Sequence, residues 1–130
     1  MFMFFRWHWK AILWVVIICF GTLLPGDNLP DTSFFSKIPY FDKIAHFGLY
    51  FVFTLFLVSG FLLQYPGERG KAYLLGALIA FSIGLLIEFL QTLMHLGRMG
   101  DFYDAIANTS GIILALLLFR PLQRLFSWAL

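Results

Sequence analysis

Charged side chains are scarce in this 130-residue sequence: Asp, Glu, Lys and Arg make up 12% of it, about half the share in a soluble domain. That shortage excludes a disordered chain, which needs high charge and low hydrophobicity. A net charge of +2 also gives no basic arm for nucleic acid. Cysteine is scarcer still. Cys19 stands alone, so no disulfide scaffold can form, and no CxxC or HExxH spacing offers a metal site. Neither a metal nor another cofactor is expected. What the chain does have is apolar surface, with 61% hydrophobic and 20% aromatic residues. A chain of this composition is suited to lipid rather than water.

A helix needs roughly 20 residues to cross about 30 Å of hydrocarbon. Four apolar runs approach that length, at 11–24, 44–63, 72–93 and 105–119. Trp7 and Trp9 suit an interface, and Arg6 and Lys10 can snorkel outward, which extends the first span to about 7–24. The fourth is expected over 103–120, ending where Pro121 disturbs it. The second and third carry no charge except Glu88. A signal peptide is the competing reading of the first run, but Thr22-Leu23-Leu24-Pro25 is too bulky for a cleavage site. Cys19 reads as an apolar filler and His8 as an interfacial residue.

The expected fold is therefore an all-α membrane protein, one domain of four helices in an antiparallel bundle. Both termini then share a side with Arg6, Lys10, Arg69, Lys71, Arg120 and Arg124, whereas the other side holds Lys37, Lys43 and Arg98. Six cations against three place the termini in the cytoplasm. The outer loop around Pro25, Pro30 and Pro39 reads as irregular, and the inner turn of 64–71 is short enough to pair the second and third helices.

Polar groups in or beside a span are costly unless they face protein or water, and here they gather at one depth. Asp42, Lys43, His46 and Tyr50 enter the second helix from outside, and Asp42, His46 and Tyr50 recur at helical spacing. Glu88, Gln91 and His95 form a stripe on the third helix that continues inward through Gly84, Ala80 and Gly76, a small-residue ladder of the kind that lets transmembrane helices approach closely. Asp101, Asp104, Asn108, Gly111 and Ala115 repeat the device on the fourth, with Asp101 and Asp104 at the positive end of its dipole. Arg98, between Gly97 and Gly100, carries a planar fork that pairs with a carboxylate or a phosphate.

The ordered set Asp42-Lys43-x-x-His46-x-x-x-Tyr50, Glu88-x-x-Gln91, Arg98, Asp104-x-x-x-Asn108 and Gly111 resembles the signature of the VanZ-like family of small bacterial membrane proteins, over about residues 25–115. Ala115 stands where a second glycine is common, and His95 departs from the pattern. The family's namesake is associated with low-level resistance to the glycopeptide antibiotic teicoplanin, so the resemblance implies a role in the cell envelope and a place in the bacterial cytoplasmic membrane.

Three functions fit these residues. In the first, Asp42, Lys43, His46, Tyr50, Glu88, Gln91, Arg98, Asp101, Asp104 and Asn108 form an outward-facing pocket for an anionic headgroup, on a membrane lipid or lipid-linked envelope precursor. A second copy or other envelope proteins are further partners compatible with it. In the second, the same groups pair with one another and fix helix packing. In the third, Glu88, His46 or Asp104 serves as general acid or base of a membrane hydrolase or transferase. The third lacks a nucleophile: Cys19 lies within a span, Ser33 and Ser36 in a loop, and Ser110 off the polar stripe. A channel is disfavoured because the inner halves of the spans have no polar lining. Phe51, Phe53, Phe56 and Phe61 read as packing or lipid-facing residues.

Overall fold

A computed structural model describes residues 2–23, 40–94, 102–127 and 130. Among them lie four helices, α1 (Phe2–Leu23), α2 (Phe41–Gln64), α3 (Arg69–Met94) and α4 (Phe102–Leu125), all long and apolar enough to cross a membrane. Helix is the form such segments must take, since the bilayer interior offers no water to satisfy backbone amides and carbonyls. Sequence neighbours run antiparallel, and α2 occupies the centre, packed on α1, α3 and α4. Most of its length is therefore buried.

The turn between α2 and α3 has its cause in two residues. Glu68 N donates to Tyr65 O at 3.1 Å across Pro66 and Gly67, and Gly67 has φ +88°. Proline presets the second position of a type II turn and glycine takes the positive φ that the third requires.

Small residues set the helix spacing. The buried face of α3 is Ala72, Gly76, Ala80, Gly84, Ile87 and Gln91. A side chain at Gly76 would meet Val58 Cγ2 of α2 at 2.8 Å, and one at Gly84 would meet the Tyr50 ring at 3.3 Å. The tightest approach is between α2 and α4, which run parallel: Gly111 lies on the backbone of Phe47 and Phe51. The expected ladders of α3 and α4 are thus the surfaces buried against α2.

Three details differ from expectation. The first helix begins at Phe2, earlier than residue 7. Pro121 does not stop α4, which continues to Leu125. The buried Phe119 anchors that turn against Tyr73, with ring centroids 5.6 Å apart, and Phe126 N closes the end on Leu122 O at 2.8 Å. Packing on both sides of the proline outweighs its missing amide. Third, His8 is buried rather than interfacial: its ring lies 4.6 Å from those of Phe4 and Phe61, and its Nε2 is 2.9 Å from Gln64 Oε1. Gly60 makes room for it, since a Cβ there would stand 2.5 Å from His8 Nδ1. Trp9, by contrast, is exposed as an interfacial residue should be. Cys19 is half-buried beside the core, Phe53 and Phe61 are buried within it, and Phe56 packs partly against it.

Candidate functional site

Parallel α2 and α4, with antiparallel α3 beside them, bring one end of each helix together. There Lys43 Nζ bridges Asp42 Oδ2 at 2.7 Å and Asp104 Oδ1 at 2.8 Å. One turn further along α2, His46 Nδ1 donates to Asn108 Oδ1 at 3.1 Å, and Asn108 Nδ2 donates to Glu88 Oε1 at 3.3 Å. His46 Nδ1 also lies 3.7 Å from Glu88 Oε1, within ion-pair reach when the ring is protonated. Asn108 is thus the hinge of the cluster, tying α2 to α3 from its place on α4. Its neighbours follow from helical spacing: Asp104 is four residues earlier and Gly111 three later, so the contact at Gly111 presses the acid and the amide against α2.

The carboxylates have positional reasons to be there. Asp42 and Asp104 occupy the first turns of α2 and α4, where free backbone amides and the helix dipole favour negative charge. Glu88 has no such end to complement. It sits near the C-terminal part of α3, with its side chain 12% exposed, and is held by Asn108 and His46. Three carboxylates against one ammonium leave the described cluster acidic while His46 is neutral.

Tyr50 lies one turn deeper than His46 and is wholly buried. Its ring packs on Gly84, with Asn108 Nδ2 beside the same glycine, yet its hydroxyl has no hydrogen-bond partner among the described residues. Gln91 turns elsewhere. Its Nε2 donates to the backbone carbonyl of Thr22 at 2.8 Å, and Thr22 Oγ1 donates to Ile18 O at 2.7 Å. Gln91 therefore ties α3 to α1 and stands apart from the hydrogen-bonded group. Replacing it with leucine is expected to lower stability by about 1 kcal/mol, in line with interhelical hydrogen bonds in lipid, read as a small drop in melting temperature in detergent with the Lys43–Asp104 pair intact.

Of the sequence-derived site, Asp42, Lys43, His46, Glu88, Asp104 and Asn108 come together, and Tyr50 adjoins them. Arg98 and Asp101 lie outside the described residues, as do His95, Ser33 and Ser36. No serine or cysteine joins the described cluster: Cys19 belongs to α1 and Ser110 is exposed. Thr109 and the apolar wall beside it were not anticipated. Thr109 and Asn108 line a shallow cleft between α3 and α4, about 10 Å³, whose other walls are Phe81, Gly84, Leu85, Ala105 and Ile112. Nothing in the sequence order links those positions, because they meet only through the antiparallel pairing of α3 and α4.

The six described cations other than Lys43, namely Arg6, Lys10, Arg69, Lys71, Arg120 and Arg124, fall at the opposite end of the bundle. A family profile described as VanZ/LLP1 matches residues 1–126. The chain belongs to the VanZ/LLP1 family. That match extends on both sides of the stretch of residues 25–115 that carried the resemblance, so α1 and the whole of α4 lie within it. Four membrane-length helices make this VanZ/LLP1 member a multi-pass membrane protein. No curated protein and no solved structure matches the chain.

Proposed function

We propose that the polar cluster receives the headgroup of a membrane lipid or lipid-linked envelope precursor, on the extracytoplasmic face of the bacterial cytoplasmic membrane. The observation that carries this reading is the double duty of Asn108, which joins His46 to Glu88 and also lines the cleft between α3 and α4. Apolar walls at Phe81, Leu85 and Ile112 suit an acyl or isoprenoid chain, and they lead directly to hydrogen-bonding groups. Lys43 and the Asn108 amide are donors for a phosphate. Glu88 and Asp104 are acceptors for the hydroxyls of a sugar or glycerol, so a headgroup carrying both kinds of group satisfies the whole set. Cations concentrated at the far end favour an outward position for the cluster. Family membership supports an envelope role, within which reduced susceptibility to teicoplanin is one outcome.

The test is lipid retention by the purified chain, followed by native mass spectrometry. Wild type should retain isoprenoid phosphate or phosphatidylglycerol over phosphatidylcholine, and Asn108→Leu or Lys43→Gln should reduce retention about tenfold while helix content is kept, since a good charge-assisted contact is worth about 1.4 kcal/mol or more. Equal retention of charged and zwitterionic lipids by wild type would end the reading.

One observation favours a second account: Lys43, Asp42, Asp104, His46, Asn108 and Glu88 pair with one another, as a cluster that only fixes packing would. That account predicts variants that lose stability and lose no lipid preference. An enzymatic role for Glu88, His46 or Asp104 requires in addition that an offered lipid be converted, and recovery of intact lipid after long incubation counts against it.

A further inference from the structure

Tyr50 carries a hydroxyl that the hydrogen bonds of the cluster do not use. Its side chain is 0% exposed, and the hydroxyl has no partner among the described residues. Buried hydroxyls are ordinarily hydrogen-bonded, and a phenylalanine would fill the same space without the cost of desolvating one. A tyrosine at this position therefore calls for an acceptor supplied from outside the chain.

Gly84 is where such an acceptor can enter. The Tyr50 Cζ, which bears the hydroxyl, lies 3.6 Å from the place a Cβ on Gly84 would take, and Asn108 Nδ2 lies 3.7 Å from the same point. Gly84 and Asn108 are also walls of the cleft between α3 and α4, where the exposed Phe81 and Leu85 stand beside them. In a membrane that side of the bundle faces lipid. At about 10 Å³ the cleft has room for one group the size of a water oxygen.

Depth decides which oxygen fits. Lys43 stands seven residues nearer the rim on α2, roughly 10 Å of helix rise, and a tyrosine side chain leans back toward the N-terminus of its helix. The hydroxyl thus lies below the rim and above its own backbone. A phosphate drawn down to it would carry charge into an apolar cleft, away from the ammonium, at high cost. A neutral acceptor carries no such cost. The ester carbonyls of a glycerophospholipid are neutral acceptors, held just below the phosphate by the glycerol backbone at the edge of the hydrocarbon. An isoprenoid phosphate has none, because its phosphate is bonded straight to the hydrocarbon chain.

We propose that the Tyr50 hydroxyl donates to an ester carbonyl of a glycerophospholipid that reaches it past Gly84, so that the lipid taken is a diacyl phospholipid and not an isoprenoid-linked one. The assignment rests on the headgroup reading for the position of the phosphate. Sequence spacing hides the contact, since Tyr50 and Gly84 belong to different helices and meet only through their packing.

The full chain, purified in detergent and stripped of lipid, is offered diester phosphatidylglycerol, its diether analogue and diester phosphatidylcholine, and retention is read by native mass spectrometry. Wild type should retain the diester over the diether roughly fivefold, the yield of one hydrogen bond of ordinary strength. In Tyr50→Phe that ratio should fall to about one, whereas Tyr73→Phe, toward the opposite end of α3, should keep it. Without lipid, Tyr50→Phe should melt no lower than wild type, because the hydroxyl has no partner among the described residues to lose. Equal retention of diester and diether by wild type, the result expected if water were the acceptor, overturns the proposal. So does a Tyr50→Phe protein that melts well below wild type in the absence of lipid. A wild type that prefers phosphatidylglycerol to phosphatidylcholine but not diester to diether keeps the headgroup pocket and loses the Tyr50 contact. The opposite pair of preferences loses the pocket and keeps the contact.

Discussion

Gly111→Ala is expected to destabilise the protein more than any other single-methyl addition in the bundle, by about 3 kcal/mol, the upper end of the cost of overpacking. The reason is what the methyl meets. A Cβ at position 111 would run into the carbonyl oxygen of Phe47 and stand 3.1 Å from Phe51 N. Both belong to the α2 backbone, so no rotamer change relieves the clash and the two helices must separate. Separation would also lengthen the contacts of Asp104 and Asn108, which stand on the same face of α4. Gly84→Ala offers a milder case, since its methyl would meet the Tyr50 ring at 3.3 Å, and about 1 kcal/mol is expected. Gly48→Ala meets nothing within 4 Å and is expected to be neutral or slightly stabilising, as alanine favours helix. Thermal unfolding in detergent, followed by circular dichroism, ranks the three. A Gly111→Ala protein that melts with wild type would show that α2 and α4 are not in backbone contact.

Breaking the pair between Lys43 and Asp104 is expected to come next, at about 2 kcal/mol. That figure lies below the usual cost of stranding one member of a buried pair because the Lys43 side chain is 24% exposed. Lys43→Ala leaves the Asp104 carboxylate, 12% exposed, without the ammonium 2.8 Å away. Asp42, with its side chain 55% exposed, is a different matter. A double-mutant cycle should find coupling of about 2 kcal/mol between Lys43 and Asp104 and no more than about 0.5 kcal/mol between Lys43 and Asp42. High salt should weaken the second pair before the first. Equal coupling in the two pairs would mean that Asp104 is as accessible as Asp42, and the site would then be a surface feature.

Much of this arrangement can be read from the order of residues. Apolar run length alone locates α2 and α3, because the bilayer sets a minimum that soluble segments rarely reach. Periodicity locates the face of α3, since Gly76, Ala80 and Gly84 repeat at the spacing of one helical side. It also places Asp104 and Asn108 above Gly111. What periodicity cannot supply is the partner of each face. His8 looks interfacial among Trp7, Trp9 and Lys10, and its burial depends on Gly60, more than fifty residues away, where no side chain competes for the space. Gln91 shares the stripe of Glu88, but a carboxamide can turn by one rotamer toward α1, and there the Thr22 carbonyl receives it. Pro121 illustrates the converse. The local rule that proline ends helices was overridden by the packing of Phe119 on Tyr73.

The parallel course of α2 and α4 has a consequence for biosynthesis. Lys43 and His46 enter the bilayer with the second span, and Glu88 follows on the third, but Asp104 and Asn108 arrive only with the last. Until that span docks, Lys43 lacks its contact with Asp104, and His46 and Glu88 lack the Asn108 amide that joins them. The hydrogen-bonded cluster is therefore the last part of the bundle to form, because only the fourth span brings Asp104 and Asn108 to it.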